Sequence, residues 1–130
     1  MSRFIQFFVA ILVVAICAAA TRPTTAIDGK TLFRQYCAAC HGVDGKGAGP
    51  AATALKQTPT DLTAISRQHN GRFPDDKMLR VLNGDEPIAS HGNREMPVWG
   101  PLFYGMSNNL NLGQLRIHAL LDYLESLQAK

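Results

Sequence analysis

Beyond residue 26 the apolar positions recur at helical rather than alternating spacing. Asp28 is placed to cap a helix running toward Cys37, with Leu32, Phe33 and Tyr36 on one face. Asp61 opens a short segment reaching His69, in which Leu62 and Ile65 share a face. Pro74-Asp75-Asp76 starts another, carrying Met78, Leu79 and Leu82 and stopping at Gly84. The clearest helix is the last. Asn111 and Gln114 read as its capping pair, and Leu112, Leu115, Ala119, Leu120, Tyr123, Leu124 and Leu127 form a broad apolar stripe. Gln114, His118, Asp122 and Glu125 lie opposite, while Arg116 falls inside the apolar arc and is expected to snorkel to solvent. Residues 42–50 are rich in glycine and read as a loop. Residues 85–111 also read as mostly irregular, and a connection that long in a small domain is usually functional or wrapped around something. The pattern predicts an all-α domain of about four short helices and no sheet.

The N-terminus has a different character. Arg3 precedes residues 4–20, whose only polar side chain is Gln6, and Ala18-Ala19-Ala20 and Thr24-Thr25-Ala26 each offer a small-x-small cleavage site. Residues 1–26 therefore read as a cleavable export signal, placing the product in the periplasm or otherwise outside the cytoplasm. The alternative is a retained membrane anchor, although the run is slightly short of the roughly 20 apolar residues a bilayer core requires. A lipid attachment at Cys17 is disfavoured by the bulky Ile16 before it. Residues 27–130 remain as one domain, from a chain of 130 residues and 14.2 kDa.

Removing that segment changes the charge and the cysteine count. Without Arg3 and Arg22 the chain keeps 11 basic against 10 acidic side chains, dispersed singly, which argues against nucleic acid as a partner. Of three cysteines only Cys37 and Cys40 remain. An exported pair is expected to be a disulfide or chemically committed.

The run Cys37-Ala38-Ala39-Cys40-His41 suggests the commitment. Two thiols one helical turn apart can add to the two vinyl groups of one haem, while the adjacent imidazole reaches its iron. A zinc site would want a fourth ligand, normally from a second Cys pair, and no such pair exists. A thioredoxin-like redox pair would want a strand–helix–strand setting. A plain disulfide would explain neither His41 nor so thin a core, which a large internal apolar ligand would help to stabilise.

With these residues the sequence resembles the class I bacterial c-type cytochromes, monohaem proteins with histidine and methionine as iron ligands. The resemblance spans essentially all of residues 27–130. It rests on the attachment run followed by Gly42, and on Gly45-Lys46-Gly47-Ala48-Gly49-Pro50, similar to the family's glycine-rich segment ending in proline. It implies a small cytochrome c fold wrapped around one covalent haem c. It further implies thioethers at Cys37 and Cys40, His41 as an axial iron ligand, and the Pro50 carbonyl as hydrogen-bond acceptor for the second ring nitrogen of His41. Such a bond fixes the tautomer and raises basicity toward the metal. Gly29 and Phe33 with Tyr123 resemble the contact at which the family's terminal helices cross.

The sixth iron ligand has several candidates: Met78, Met96, Met106, His69, His91 and His118. Met78 and His118 fall on predicted helices, the first as core and the second as surface. Met96 is favoured, ahead of Met106 and His91. Pro97 biases it toward an extended backbone in which its thioether can project from a loop, and Met96-Pro97 resembles the family's ligand segment. Arg94 and Trp99 are candidates to meet the haem propionates, which need donors or water when buried.

A soft, neutral thioether favours ferrous iron and leaves no open coordination position. The expected function is one-electron transfer between exported or membrane redox proteins of a respiratory-type chain, by a monomer that is not itself an enzyme. The alternative is a haem subunit or domain of a dehydrogenase, or a peroxide- or gas-reactive haem protein with a labile sixth ligand. The five lysines, Lys30, Lys46, Lys56, Lys77 and Lys130, are too few and too scattered for a strong basic docking face. A weakly steered contact through apolar residues around Cys37, Cys40 and Met96-Pro97-Val98 is expected instead.

Overall fold

Asp28 accepts hydrogen bonds from the Lys30 and Thr31 amides and so caps the first helix of the domain, α1 (Gly29–Tyr36). A further bond from the Thr31 hydroxyl is the main cause of a carboxyl held below its usual range. The structure is a computed structural model describing residues 27–86, 96–106 and 109–129. The N-terminal 26 residues, with the export segment and its cleavage sites, lie outside the described residues, as do His91 and Arg94.

After α1 the chain passes through Cys37 into one short turn, α2 (Ala38–His41), and then a loop with a 3-10 turn at Ala52–Ala54. Asp61 caps a second 3-10 turn, Leu62–Ala64, by accepting from the Thr63 amide, and this turn runs on into α3 (Ile65–Gln68). The next helix, α4 (Asp75–Asn83), has both its acidic residues in the first turn, where they complement the helix dipole, and stops at Gly84 in the left-handed conformation. Then come α5 (Trp99–Gly105) and the long α6 (Leu110–Ser126). Among the described residues there is no strand, and no helix is long and apolar enough to cross a membrane. The all-α expectation holds.

Four details differ from the sequence expectation. Residues 85–111, expected to be mostly irregular, contain the helix α5. Gly100, Pro101 and Gly105 argue locally against helix. Tertiary packing overrides them, because residues 99 and 103 bring Trp99 and Phe103 onto one buried face. Pro101 sits in the first turn, where a missing N–H costs no intrahelical bond. In α6 the cap is Asn109, accepting from the Asn111 and Leu112 amides, rather than Asn111. The buried face is Gly113, Ile117, Leu120, Leu121 and Leu124, so Leu112 and Leu115 lie outside it. Gly113 belongs to that face because the Tyr104 ring rests on it: a Cβ there would stand 2.0 Å from Cδ1 of Tyr104. Arg116 does not simply snorkel; its guanidinium donates to the Phe103 carbonyl at 3.1 Å, in the last turn of α5.

The helix α6 is the common support, packing on α1, α4 and α5. At Gly29 the backbones of α1 and α6 meet so closely that a Cβ would stand 1.8 Å from the Ala119 carbonyl oxygen. Beside this crossing the Phe33 and Tyr123 rings pack at a centroid distance of 5.3 Å and a tilt of 51°. Tyr36, Trp99 and Phe103 extend the aromatic cluster toward α5.

Gly29→Ala should lower unfolding stability by about 3 kcal/mol, because forcing the helices apart outweighs the gain of about 1 kcal/mol in helix preference. Gly105→Ala, whose Cβ meets nothing within 4 Å, should be neutral or stabilising by up to about 1 kcal/mol. Chemical denaturation of the two variants against the parent checks both signs.

Candidate functional site

Cys37, Cys40 and His41 are held by a local backbone device. The His41 amide donates to the Cys37 carbonyl at 2.9 Å, closing the turn of α2, and the Gly42 amide donates to Ala38 at 2.9 Å. The glycine-rich loop then folds back onto that turn: Gly47 N–H donates to the His41 carbonyl at 2.7 Å and Gly49 N–H to the Cys40 carbonyl at 3.0 Å. These approaches require glycine. A Cβ on Gly49 would lie 2.3 Å from the Ala39 oxygen, and one on Gly47, which has φ +85°, 2.2 Å from the Pro59 oxygen.

Because Gly47 admits the backbone of Pro59, the next carbonyl, that of Thr60, comes under the imidazole. His41 Nδ1 donates to the Thr60 oxygen at 3.0 Å. A carbonyl only accepts, so the neutral ring is the Nδ1–H tautomer and its lone pair is on Nε2. This corrects the role expected of Pro50. Pro50 is exposed, does not line the site, and is replaced as acceptor by Thr60. The glycine-rich loop ends in proline as the resemblance suggested, but the loop serves to seat another segment against His41 rather than to supply the carbonyl itself.

The side chains converge on an apolar pocket open on one side, lined by Cys37, Cys40, His41, Leu55, Pro59, Met96, Pro97 and Trp99. Three separate stretches meet there: the turn after α1, the loop before the second 3-10 turn, and the approach to α5. Leu55, Pro59 and Thr60 carry no recognisable chemistry in the sequence and escaped it. The only available signal was Pro59 itself, which marks a fixed backbone direction.

The pocket also sorts the other candidates. Met96 lines it, partly buried against the core. Met78 packs against the core on α4 and His118 is exposed on α6, as expected from their helical positions. Met106 is half-exposed, with its sulfur accepting from the Tyr36 hydroxyl at 3.8 Å. His69 donates through Nδ1 to the Ile65 carbonyl at 2.9 Å, with Lys77 Nζ 3.4 Å from its other ring nitrogen. None of these four lines the pocket.

The chemistry of the donor set suits a large apolar group carrying a metal and a few polar edges. Burial, with the adjacent Cys40 adding to it, pushes the Cys37 thiol up to about 12. At neutral pH it is therefore an uncharged thiol, unlike the exposed thiolates of redox-active pairs. Trp99 is 7% exposed, and its Nε1 has no hydrogen-bond partner among the described residues. An orphaned buried donor costs about 1–3 kcal/mol, which an acceptor within the pocket would recover. Cysteine, histidine and methionine around an apolar cavity, with one donor awaiting an acceptor, fit a haem with its carboxylates. The family model described as cytochrome c matches residues 26–128 of this chain. No curated protein sequence and no solved structure matches it significantly.

Proposed function

The chain belongs to the cytochrome c family, and on that premise we propose that it is a one-electron carrier whose haem is held by Cys37, Cys40, His41 and Met96. The family's covalent c-type haem is its cofactor, and haem-based electron transfer is its general activity. The observation that carries the residue assignment is their convergence: one pocket gathers both thiols, the imidazole and the Met96 side chain.

The bound group supplies an iron that alternates between ferrous and ferric states and so accepts and returns one electron. Cys37 and Cys40 would fix it to the chain as thioethers, the net addition of one S–H to each vinyl group requiring no oxidant. His41 would hold the iron through its Nε2 lone pair. The bond from Nδ1 to Thr60 keeps the ring in that tautomer and orientation and strengthens its donation. Met96 would hold the iron through a soft, neutral thioether, which favours the reduced state. Trp99 Nε1, a buried donor without a partner among the described residues, would serve a propionate, and the sequence assigns Arg94 to the same recognition.

Partners of this carrier are exported or membrane redox proteins of a respiratory-type chain, met in the periplasm. The signal-like N-terminal run of residues 4–20 supports that location. The docking surface is the apolar rim formed around Cys37, Cys40 and the Met96-Pro97-Val98 segment, where Pro97 is exposed and Val98 is 37% exposed. Among the described residues no lysine or arginine lines the pocket, and Lys30, Lys46, Lys56 and Lys77 are all exposed at separate points along the chain. A transient contact of this kind buries less than about 1,200 Å².

Met96→Ala should lower the reduction potential, abolish the methionine-to-iron charge-transfer band of the ferric protein, and let the ferrous form bind carbon monoxide. Parent-like spectra in the variant would show that another residue closes the sixth position. Carbon monoxide binding or rapid peroxide turnover by the parent itself would favour the gas- or peroxide-reactive alternative. The association rate with the native partner should fall by less than about tenfold as the Debye length shrinks from about 10 Å at 0.1 M salt to about 3 Å at 1 M. A hundredfold fall over that range would demand a charged docking face. Intact-mass measurement of the exported holoprotein should find residues 1–20 absent; a mass containing them would mean a retained anchor.

A further inference from the structure

We propose that Gln128 is a positioning residue for the axial imidazole, clamping the segment whose carbonyl orients His41. The inference rests on His41 being the iron ligand and extends that reading to a residue at the far end of the chain.

Gln128 lies just beyond α6, and its side-chain amide is fully used. The Ser66 amide donates to Oε1 at 2.9 Å, while Nε2 donates to the Leu62 carbonyl at 2.8 Å and the Leu124 carbonyl at 2.7 Å. A backbone N–H only donates and carbonyls only accept, so no flipped amide satisfies the three partners. The Ala129 amide adds a bond to the Thr63 carbonyl at 3.0 Å. The C-terminal end of α6 therefore grips residues 62–66 at Leu62, Thr63 and Ser66.

That segment needs an external support. It consists of a 3-10 turn of 3 residues and a helix of 4, too short to be stable as isolated elements. It is also the segment that seats the imidazole, since Thr60, acceptor of the His41 Nδ1–H, lies two residues before Leu62. On its other side the Leu62 amide donates to the Gly45 carbonyl at 2.7 Å, and the same glycine loop reaches back to the His41 carbonyl through Gly47 at 2.7 Å. Leu62 is thus held twice, once by the attachment loop and once by Gln128. The second hold fixes where the Thr60 carbonyl stands relative to the ring. Glutamine suits this position because it alone among the amides has both the reach and the paired donor and acceptor. An apolar residue of the same length would keep the packing but release all three bonds.

The test uses the holoprotein and reads proton exchange of the His41 Nδ1–H by NMR, alongside the backbone amides of Phe33 and Leu120. Gln128→Met removes the whole clamp at similar volume. Gln128→Glu keeps the acceptor for Ser66 but sets a carboxylate against the Leu62 and Leu124 carbonyls. In both variants the ring N–H should exchange at least about tenfold faster, while the two core amides stay within about twofold of the parent. The reduction potential should rise, since a loosened Nδ1 bond weakens imidazole donation to ferric iron. Unchanged ring exchange, or a rise only in step with Phe33 and Leu120, would overturn the proposal and leave Gln128 as a general stabiliser. Absence of an iron-bound imidazole signature at His41 in the parent would overturn the ligand assignment and this proposal together.

Discussion

The contact on which the rest of the molecule depends is the backbone crossing of α1 and α6, where Gly29 lies against Ala119. It unites the two ends of the domain and fixes the direction in which α1 delivers Cys37 and His41. No side chain separates the helices there, so the approach is set by backbone sterics and leaves little freedom of angle or register. Phe33, fully buried beside Tyr123, then fills the wedge that opens away from the crossing. From this point α6 reaches outward to α4, α5 and, just beyond its end, the segment 62–66. Gly113 and Arg116 meet Tyr104 and Phe103 of α5, and Gln128 meets the segment that seats His41.

The features legible in the sequence were those settled within a few residues. The Cys37-Ala38-Ala39-Cys40-His41 run is one helical turn, so its spacing is its geometry. Asp28 and Asp61 cap the turns that begin beside them, and Gly84 ends α4, because each acts on amides or dihedrals adjacent in the chain. The helix α5 was illegible for the opposite reason. Gly100 is required by the backbone of Asn83, 2.8 Å from where its Cβ would be, and that constraint comes from another helix. Local propensity registers such a glycine as a helix breaker when it is an interface residue. The stripe of α6 held at Leu120, Tyr123, Leu124 and Leu127 but not at its start. Leu112 and Leu115 look like core by residue type, yet the inner face passes through Gly113, whose lack of a side chain is what admits Tyr104.

The difference between Pro50 and Thr60 has the same origin and bears on how such sites are recognised. The acceptor for His41 is a main-chain carbonyl, so the side chain at position 60 does not write the interaction into the sequence. What the sequence does record is indirect: glycine at position 47, where any Cβ would collide with Pro59, and proline at position 59, which restrains the backbone leading to the acceptor. The site is therefore specified in two registers. On the proposed assignment, side chains carry the bonds to the cofactor, at Cys37, Cys40, His41 and Met96, whereas backbone groups carry the bonds that aim those side chains.

This division also governs which changes the site can absorb. A ligand side chain has no local substitute, since sulfur and imidazole donate electron pairs that neighbouring residues do not duplicate. A backbone acceptor survives changes of its own side chain but fails when a remote contact shifts the chain that carries it. The Thr60 carbonyl is held from one side by the glycine loop through Leu62 and Gly45, and from the other by Gln128. Orientation of the imidazole is thus a tertiary property, distributed over residues 45, 62 and 128, although the imidazole itself belongs to a motif of five consecutive residues. A short attachment motif can be grafted into many chains. The basicity of its histidine is set by the fold that surrounds it.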